Sequence, residues 1–278
     1  NISLNREDIY DDSWAVIIGI DKYKYSDQLN YAVNDAEIIH EMLVTLFDFP
    51  EENITILKNE EANKQSILKV FSEITTKTEK NDRVLIYFAG HGDTFPLPND
   101  EGDMGYLLPV DCNYDNFNLS SISMQSVYDI IDESVGKHIL LLIDAATSGF
   151  PTNREYEGVI DPSTADYIQK IKEAKVRQII TAGSKDEQVI ERAEWGHSAF
   201  TMNLIRGLRD NLADSNKDGI ITGYELGLYL KNTIYFHSEN LQYPSVFTFA
   251  PAMGTGLIIL FATKDTHVRI DGARTYIF

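Results

Sequence analysis

The chain has 278 residues, with 43 Asp and Glu against 24 Lys and Arg, and a formal charge of −19. That acid excess repels a phosphate backbone and argues against a nucleic-acid partner, while 43% hydrophobic residues give ordinary globular composition with enough chain for a large buried core. The single cysteine, Cys112, excludes an internal disulfide framework and a multi-cysteine zinc site, and no run has the length of a membrane span or the layout of a signal peptide. These features suggest a cytoplasmic protein that does not bind membranes, and the start at Asn1 rather than Met suggests a trimmed chain.

Short apolar runs alternate with stretches of helical period. Trp14 to Ile20 is continuously apolar and reads as a strand buried on both faces. Residues 29–48 place Leu29, Val33, Ala36, Ile39, Leu43 and Leu46 three or four apart, which predicts a helix. Asn53 to Leu57 reads as a strand, Asn63 to Lys80 as a helix, and Val84 to Ala89 as a strand that ends in Gly90-His91-Gly92. Region 93–103 reads as a loop, Ser123 to Glu133 as a helix, and His138 to Ile143 as a strand that ends at Asp144. Region 150–163 reads as a second loop, Gln178 to Ala182 as a strand, and Ser198 to Asn211 and Gly223 to Tyr235 as helices. Val268 to Ile270, Asp271-Gly272 and Thr275 to Ile277 form a hairpin signal. The β-α-β order predicts an α/β fold with a mostly parallel central sheet between helical layers. In such sheets ligands bind at the carboxyl ends of the strands, so the turns after Ile20, Ala89, Ile143 and Ala182 share the functional rim. We divide the chain into an N-terminal segment (1–11), a main domain (12–263) and a C-terminal β-hairpin extension (264–278).

Two strand ends carry unusual chemistry. His91 stands between two glycines at the tip of one strand; a plain turn histidine is the alternative. The other gives Asp144-Ala145-Ala146-Thr147-Ser148-Gly149, with Ala146 lying 55 positions after His91. Together these ends resemble the caspase and metacaspase-like clan of cysteine peptidases, and specifically its bacterial members. In that clan a strand ends in His-Gly, and about fifty residues later another ends in Asp-x-Cys-x-Ser-Gly. Asn34-Asp35-Ala36, Ala182-Gly183-Ser184 with Gln188 and Glu191, and Ser198-Ala199-Phe200-Thr201 are similar to the same clan, over roughly residues 12–262.

The resemblance implies a caspase-like three-layer α/β/α sandwich. It also implies a Cys-His mechanism with no cofactor needed for the chemistry: a thiol at position 146, activated by His91, and an oxyanion held by the N–H groups of Gly92 and residue 146. Here that position is Ala146, and a methyl group cannot attack a carbonyl. Loss of a nucleophile costs on the order of a million-fold in the subtilisin precedent, so the chain as written is expected to be inactive. The intact His91, Asp144 and Ser148-Gly149 favour a deliberate Cys-to-Ala replacement; a natural pseudoenzyme acting as a binding module is the alternative. Asp35 and Asp144 match the positions that line the basic-residue pocket of metacaspase-like relatives, which implies protein or peptide substrates cut after Arg, then Lys. A first-turn helix acid and a turn-forming Asp are the plainer readings. Arg154 is a candidate self-cleavage point, or simply an exposed loop arginine. The resemblance further implies a regulated effector in defence or cell death, with an upstream activator or small signal molecule. Arg269 and Arg274 of the hairpin and the C-terminal aromatics (Tyr235, Phe236, Tyr243, Phe247, Phe249, Phe261, Tyr276, Phe278) are candidates for a ligand surface, although core packing is the commoner use of such aromatics.

Residues 214–225 match the EF-hand loop. Asp214, Asn216 and Asp218 supply side-chain oxygens at positions 1, 3 and 5, Gly219 the turn, Ile220 a carbonyl, and Glu225 position 12. A structural calcium ion is one reading. Thr222-x-x-Glu225 is equally a capping box for the helix that follows.

Overall fold

The computed structural model describes residues 2–4, 9–98, 102–147, 175–183, 187, 189–217, 219–249, 268–271 and 274–277. In chain order the elements are β1 (Ile2–Leu4), β2 (Ser13–Gly19), α1 (Ala32–Leu46), β3 (Ile54–Lys58), α2 (Lys64–Lys77), β4 (Arg83–Ala89), β5 (Gly92–Pro96), β6 (Asp103–Leu107), α3 (Phe117–Ser120), β7 (Ile122–Ser123) and α4 (Met124–Asp132). They continue with β8 (His138–Ala146), β9 (Val176–Gly183), β10 (Glu191–Arg192), β11 (His197–Ser198), α5 (Ala199–Arg209), α6 (Gly223–His237), β12 (Ser245–Phe249), β13 (Val268–Asp271) and β14 (Arg274–Ile277).

The central sheet has six strands in the order β12-β9-β8-β4-β2-β3. All neighbours are parallel except β12, which runs antiparallel to β9 at one edge. β4 and β9 are buried along their whole length, as strands covered on both faces are, and they take Arg83, Arg177, Gln178 and Thr181 into the interior with them. Alternation along the strands splits the core. Ile17, Tyr87, Leu140 and Leu142 pack with α1, α5 and α6 on one face, whereas Val16, Ile18, Ile86, Phe88 and Leu141 pack with α2 and α4 on the other. The expected three-layer α/β/α sandwich is therefore present.

The amino ends of the strands are closed by a buried arginine. Arg83 donates to the Ser13 hydroxyl (2.8 Å) and the Phe47 carbonyl (2.7 Å), and its guanidinium lies 4.5 Å from the Phe49 ring centroid. At the other end, register aligns Gly19 with Ala89 and Ala89 with Asp144, so three strand tips lie in a row on the carboxyl rim. Gly19 is required there: a Cβ would sit 2.5 Å from the Ala32 carbonyl oxygen and 2.7 Å from Ala36 Cβ. This close crossing brings the first turn of α1, and Asp35 with it, to the rim.

The structure departs from the sequence reading in several places, and the short elements β1, α3, β7, β10 and β11 were not read from the sequence. Region 93–103, read as a loop, holds most of β5 and the first residue of β6, an antiparallel pair extended by β7 into a three-stranded sheet. Its strand character was hidden by two prolines, Pro96 and Pro98, and by the polar run from Asn99 to Asp103. β8 continues past Ile143 to Ala146, with an irregularity in its pairing: Ile143 faces Thr181, whereas Ala146 faces Gly183, one extra residue on β8. β12 was not foreseen at all. The hairpin strands β13 and β14 pair antiparallel as the Asp-Gly signal suggests, and β13 also pairs with β1 in a separate three-stranded sheet. Among the described residues, no helix is long and apolar enough to cross a membrane.

Candidate active site

Gly90, His91 and Gly92 leave the sheet directly from β4. The Gly90 N–H donates to the Asp144 carbonyl (3.2 Å), tying this turn to the end of β8. A Cβ on Gly92 would lie 2.9 Å from Thr147 Cγ2, 3.0 Å from the Ala146 carbonyl oxygen and 3.1 Å from Ala145 Cβ. Only glycine lets the two turns approach so closely. The structure thus brings His91 and position 146 together on one rim, through the residue beside each.

His91 is held by groups that sequence did not reveal. Its Nε2 lies 2.8 Å from the Asp27 carbonyl oxygen. A carbonyl can only accept, so Nε2 carries a proton, and in the neutral imidazole the lone pair is then on Nδ1. The backbone N–H of His91 donates to Tyr23 Oη (2.7 Å), and Tyr23 donates onward to the Leu108 carbonyl (3.2 Å). The Tyr23 ring also packs on the imidazole, with centroids 4.6 Å apart. Burial pushes the Tyr23 phenol well above its ordinary range, so it stays a neutral donor. The nearby Gly90 is again obligatory, since a Cβ would be 2.4 Å from Tyr23 Oη.

Tyr23 also accounts for the direction of the Gly92 amide. Leu108 N–H donates to the His91 carbonyl (3.0 Å), which makes 91 and 108 the bonded position of the ladder. The reciprocal bond is replaced by the Tyr23 hydroxyl, inserted between His91 N–H and Leu108 O. Gly92 and Leu107 then form the next, non-bonded pair, so the Gly92 N–H points away from β6.

Asp35 and Asp144 are both buried and converge through one residue of β11. The Ser198 N–H donates to Asp35 Oδ2 (3.1 Å), and the Ser198 hydroxyl donates to Asp144 Oδ2 (2.5 Å). Thr201 donates a second hydroxyl to Asp144 Oδ2 (3.1 Å) and lies 2.6 Å from Tyr87 Oη. His197 Nδ1 meets Asp35 Oδ1 at 2.5 Å. Asp144 Oδ1, by contrast, is buried with no hydrogen-bond partner. Burial raises the proton affinity of both carboxyls; the hydrogen bond from His197 opposes this at Asp35, whereas the neighbouring Asp35 charge adds to it at Asp144, which is pushed up to about 8. An acceptor stripped of water and left unpaired suits an incoming donor.

The hairpin of β10 and β11 forms the wall of this pocket. Glu191 accepts from the N–H groups of Asn30 (3.1 Å) and Tyr31 (3.1 Å), while Asp21 accepts from Ala32 (2.8 Å) and Val33 (3.3 Å). Two carboxylates from distant segments therefore satisfy the amino end of α1, a cap that no local pattern betrays. His197, Tyr23 and Asp27 were all missed in the sequence. Only the His197-Ser198 dipeptide ahead of a helix start gave a signal, as an N-cap: Ser198 Oγ accepts from Thr201 N–H.

In the EF-hand-like loop, Glu225 accepts from the N–H and hydroxyl of Thr222 (3.0 and 2.9 Å) and from Ser215 (2.9 Å), and Asp214 Oδ2 accepts from Gly219 N–H (2.9 Å). The capping box is complete. Asp218 lies outside the described residues; Asn216 and the buried Ile220 lie within them. Among the described residues no group of three or more His, Cys, Asp or Glu is placed to hold a metal ion. Of the C-terminal aromatics, Tyr235, Phe236 and Tyr243 are exposed rather than packed in the core, with Tyr235 and Tyr243 in ring contact at 4.7 Å. Arg154, Ser148, Gly149, Ser184, Gln188, Phe261 and Phe278 lie outside the described residues. So do the side chains of Phe247, Phe249, Arg269, Arg274 and Tyr276.

Comparison with known proteins agrees with this geometry. Metacaspase-1 of Eremothecium gossypii is 28% identical over 250 residues, covering 75% of this chain and 54% of its own length. Metacaspase-4 of Arabidopsis thaliana is 25% identical over 203 residues, covering 69% of this chain and 43% of its own. The chain spans about half the length of these relatives. Among solved structures, a Geobacter sulfurreducens protein aligns over 89% of this chain and 100% of its own with a TM-score of 0.58 at 16% identity. Caspase-1 of Spodoptera frugiperda aligns over 96% of this chain and 98% of its own at 0.55 and 13% identity, a likeness of fold. The caspase domain family matches residues 12–246, and with most of the chain so covered, the protein belongs to that family of cysteine peptidases.

Proposed function

We propose that the natural counterpart of this chain, with cysteine at position 146, is an endopeptidase that cuts proteins after Arg, and less readily after Lys. The observation that carries the reading is the pair of buried carboxyls at the rim, with Asp144 Oδ1 unpartnered beside the nucleophile turn. A guanidinium supplies both the charge and the donors that this site lacks. The chemistry follows from the bonds around His91. With Nε2–H donating to Asp27 O, Nδ1 is the free base that takes the thiol proton. The thiolate attacks the carbonyl, and the oxyanion forms where the N–H groups of Gly92 and residue 146 converge. His91 then returns the proton to the leaving amine, and water releases the acyl group by the same steps in reverse. No metal or organic cofactor is needed for these steps.

The test is a quenched-peptide panel against the Ala146→Cys variant. Cleavage after Arg exceeds cleavage after Lys and greatly exceeds that after Asp, and the unaltered chain is silent. Equal cutting after Asp, or none by the variant, overturns the reading. The presence of Ala146 itself favours a second reading, in which a naturally inactive chain holds basic peptides or a signal molecule without cutting them; tight binding of an Arg peptide with no activity in the Ala146→Cys form selects it. A regulated role in bacterial defence or cell death, with an upstream activator, completes the proposal and rests on the resemblance to bacterial members of the clan. The unpaired, buried Cys112 suits a reducing compartment such as the cytoplasm.

A further inference from the structure

The pocket that receives the basic side chain contains more than its two carboxyls. Asp35 on α1 has both oxygens engaged, Oδ1 by His197 and Oδ2 by the Ser198 N–H. Asp144 on β8 has both hydroxyls, from Ser198 and Thr201, on Oδ2 and nothing on Oδ1. Among the described residues, the other titratable groups that face the pair are Glu191 of β10 and Tyr87 of β4, and the Glu191 charge adds to the rise at Asp144. Two carboxyls buried this close, sharing one serine, do not both ionise readily in an empty pocket. Among the described residues, His197 engages one of them, Asp35.

Building on the peptidase reading above, we infer that His197 sets which carboxyl of this pocket stays open: its imidazole engages Asp35, leaves Asp144 Oδ1 as the carboxyl oxygen without a partner, and so makes the pocket exchange one proton for one basic side chain at Asp144. The exchange balances. In the empty pocket Asp144 is a neutral carboxylic acid; the guanidinium enters with its charge, the Asp144 proton leaves to solvent, and the complex carries the same net charge as before. The raised proton affinity of Asp144 agrees with this, since burial and the Asp35 charge both favour the acid form until a cation replaces them. Burial raises the proton affinity of Asp35 as well, but the His197 hydrogen bond opposes that rise, which favours Asp144 as the place of exchange. His197 acts through Asp35 and is a positioning residue, distinct from the catalytic His91. It reaches the pocket because Asn34 of α1 donates to the Gly196 carbonyl (2.7 Å), fixing the β10–β11 hairpin against the helix.

Because Ala146 removes turnover, the chain as it stands permits a pure binding measurement. An acetylated tetrapeptide ending in arginine amide is titrated calorimetrically in phosphate and in Tris, between about pH 6 and pH 9. The difference between buffers counts protons. The expected result is release of about one proton per peptide near pH 6.5, fading by about pH 9, with affinity rising about tenfold per pH unit over the lower part of the range. The matching norleucine peptide releases none. Asp144→Asn abolishes proton release and flattens the pH dependence. His197→Gln keeps a donor for Asp35 but replaces the imidazole, so release persists about one pH unit higher, while an unchanged melting curve shows the fold intact; a merely structural histidine leaves that profile where it was. Arginine binding with buffer-independent heats and flat affinity overturns the inference and leaves the peptidase reading standing. Absence of arginine binding at every pH removes both.

Discussion

At the scale of single residues, the site depends on groups whose roles are set by what surrounds them. Asp144 is the clearest case. Its folded proton affinity is raised, so between the ordinary carboxylate range and about pH 8 the folded chain holds a proton that the unfolded chain has lost. The stability this contributes is present at low pH and fades as pH rises through that window. Asp144→Asn therefore flattens the fall in melting temperature between about pH 5 and pH 8, and abolishes cleavage after Arg in the Ala146→Cys background. Thermal melts across that range check the first and peptide assays the second. Tyr23→Phe removes the acceptor for the His91 N–H; an unpaired buried donor costs about 1–3 kcal/mol, and loss of the imidazole's setting lowers turnover of the Ala146→Cys form about tenfold. His91, Asp35 and Asp144 were legible in the sequence because each sits in a short motif at a strand or helix end. Tyr23, Asp27 and His197 were not, since each acts over a loop, through a hydroxyl, a backbone carbonyl or a hairpin that no spacing encodes.

At the scale of elements, the closeness of two turns replaces any single motif. Gly92→Ala drives a Cβ toward Thr147, Ala145 and the Ala146 carbonyl, and a clash with backbone cannot relax as a flexible side chain does. The expected cost is about 1–3 kcal/mol, seen as a lower denaturation midpoint, with activity of the Ala146→Cys form reduced as the turns separate. The extra residue in β8 between Ile143 and Ala146 belongs to the same device, because a bulge re-aims the side chains that follow it. The sequence marked Asp144 as a turn because Asp and a run of small residues end an apolar stretch; the pairing with β9 that carries the strand to Ala146 is a tertiary fact. The loop ahead of α6 has its own test. Glu225→Ala removes a capping box and costs about 1 kcal/mol, measurable as a drop of about 2–4 °C in melting temperature with chelator present. The EF-hand spacing predicts a rise in melting temperature at millimolar calcium; an unchanged melt and no heat of binding leave capping as the loop's whole purpose.

At the scale of the whole molecule, the order of strands does most of the positioning. Placing β8 and β4 side by side in the middle of the sheet puts the tips of both on one rim, so the site is assembled from residues far apart in sequence by topology alone. This much followed from counting apolar runs and reading β-α-β order. The antiparallel edge strand β12 did not, because Ser245–Phe249 is only five residues, Ser-Val-Phe-Thr-Phe, without regular alternation and with nothing to fix its direction. The charge of −19 acts on the same scale. A basic peptide is drawn in by the summed field, and its association rate falls steeply as salt shortens the screening length to about 8 Å near 0.15 M; stopped-flow association at two ionic strengths measures this, and dissociation changes little. The central claim is that position 146 and His91 form one reactive pair beside a pocket for a basic side chain. Its most direct measurement is labelling of the Ala146→Cys variant by a peptidyl-arginine chloromethyl ketone, followed by intact mass. The account predicts a single adduct at position 146, with none on buried Cys112, slowed about a hundredfold or more by His91→Ala and by aspartate in place of arginine in the reagent. Labelling that is equally fast with the aspartyl reagent, or indifferent to His91, contradicts it.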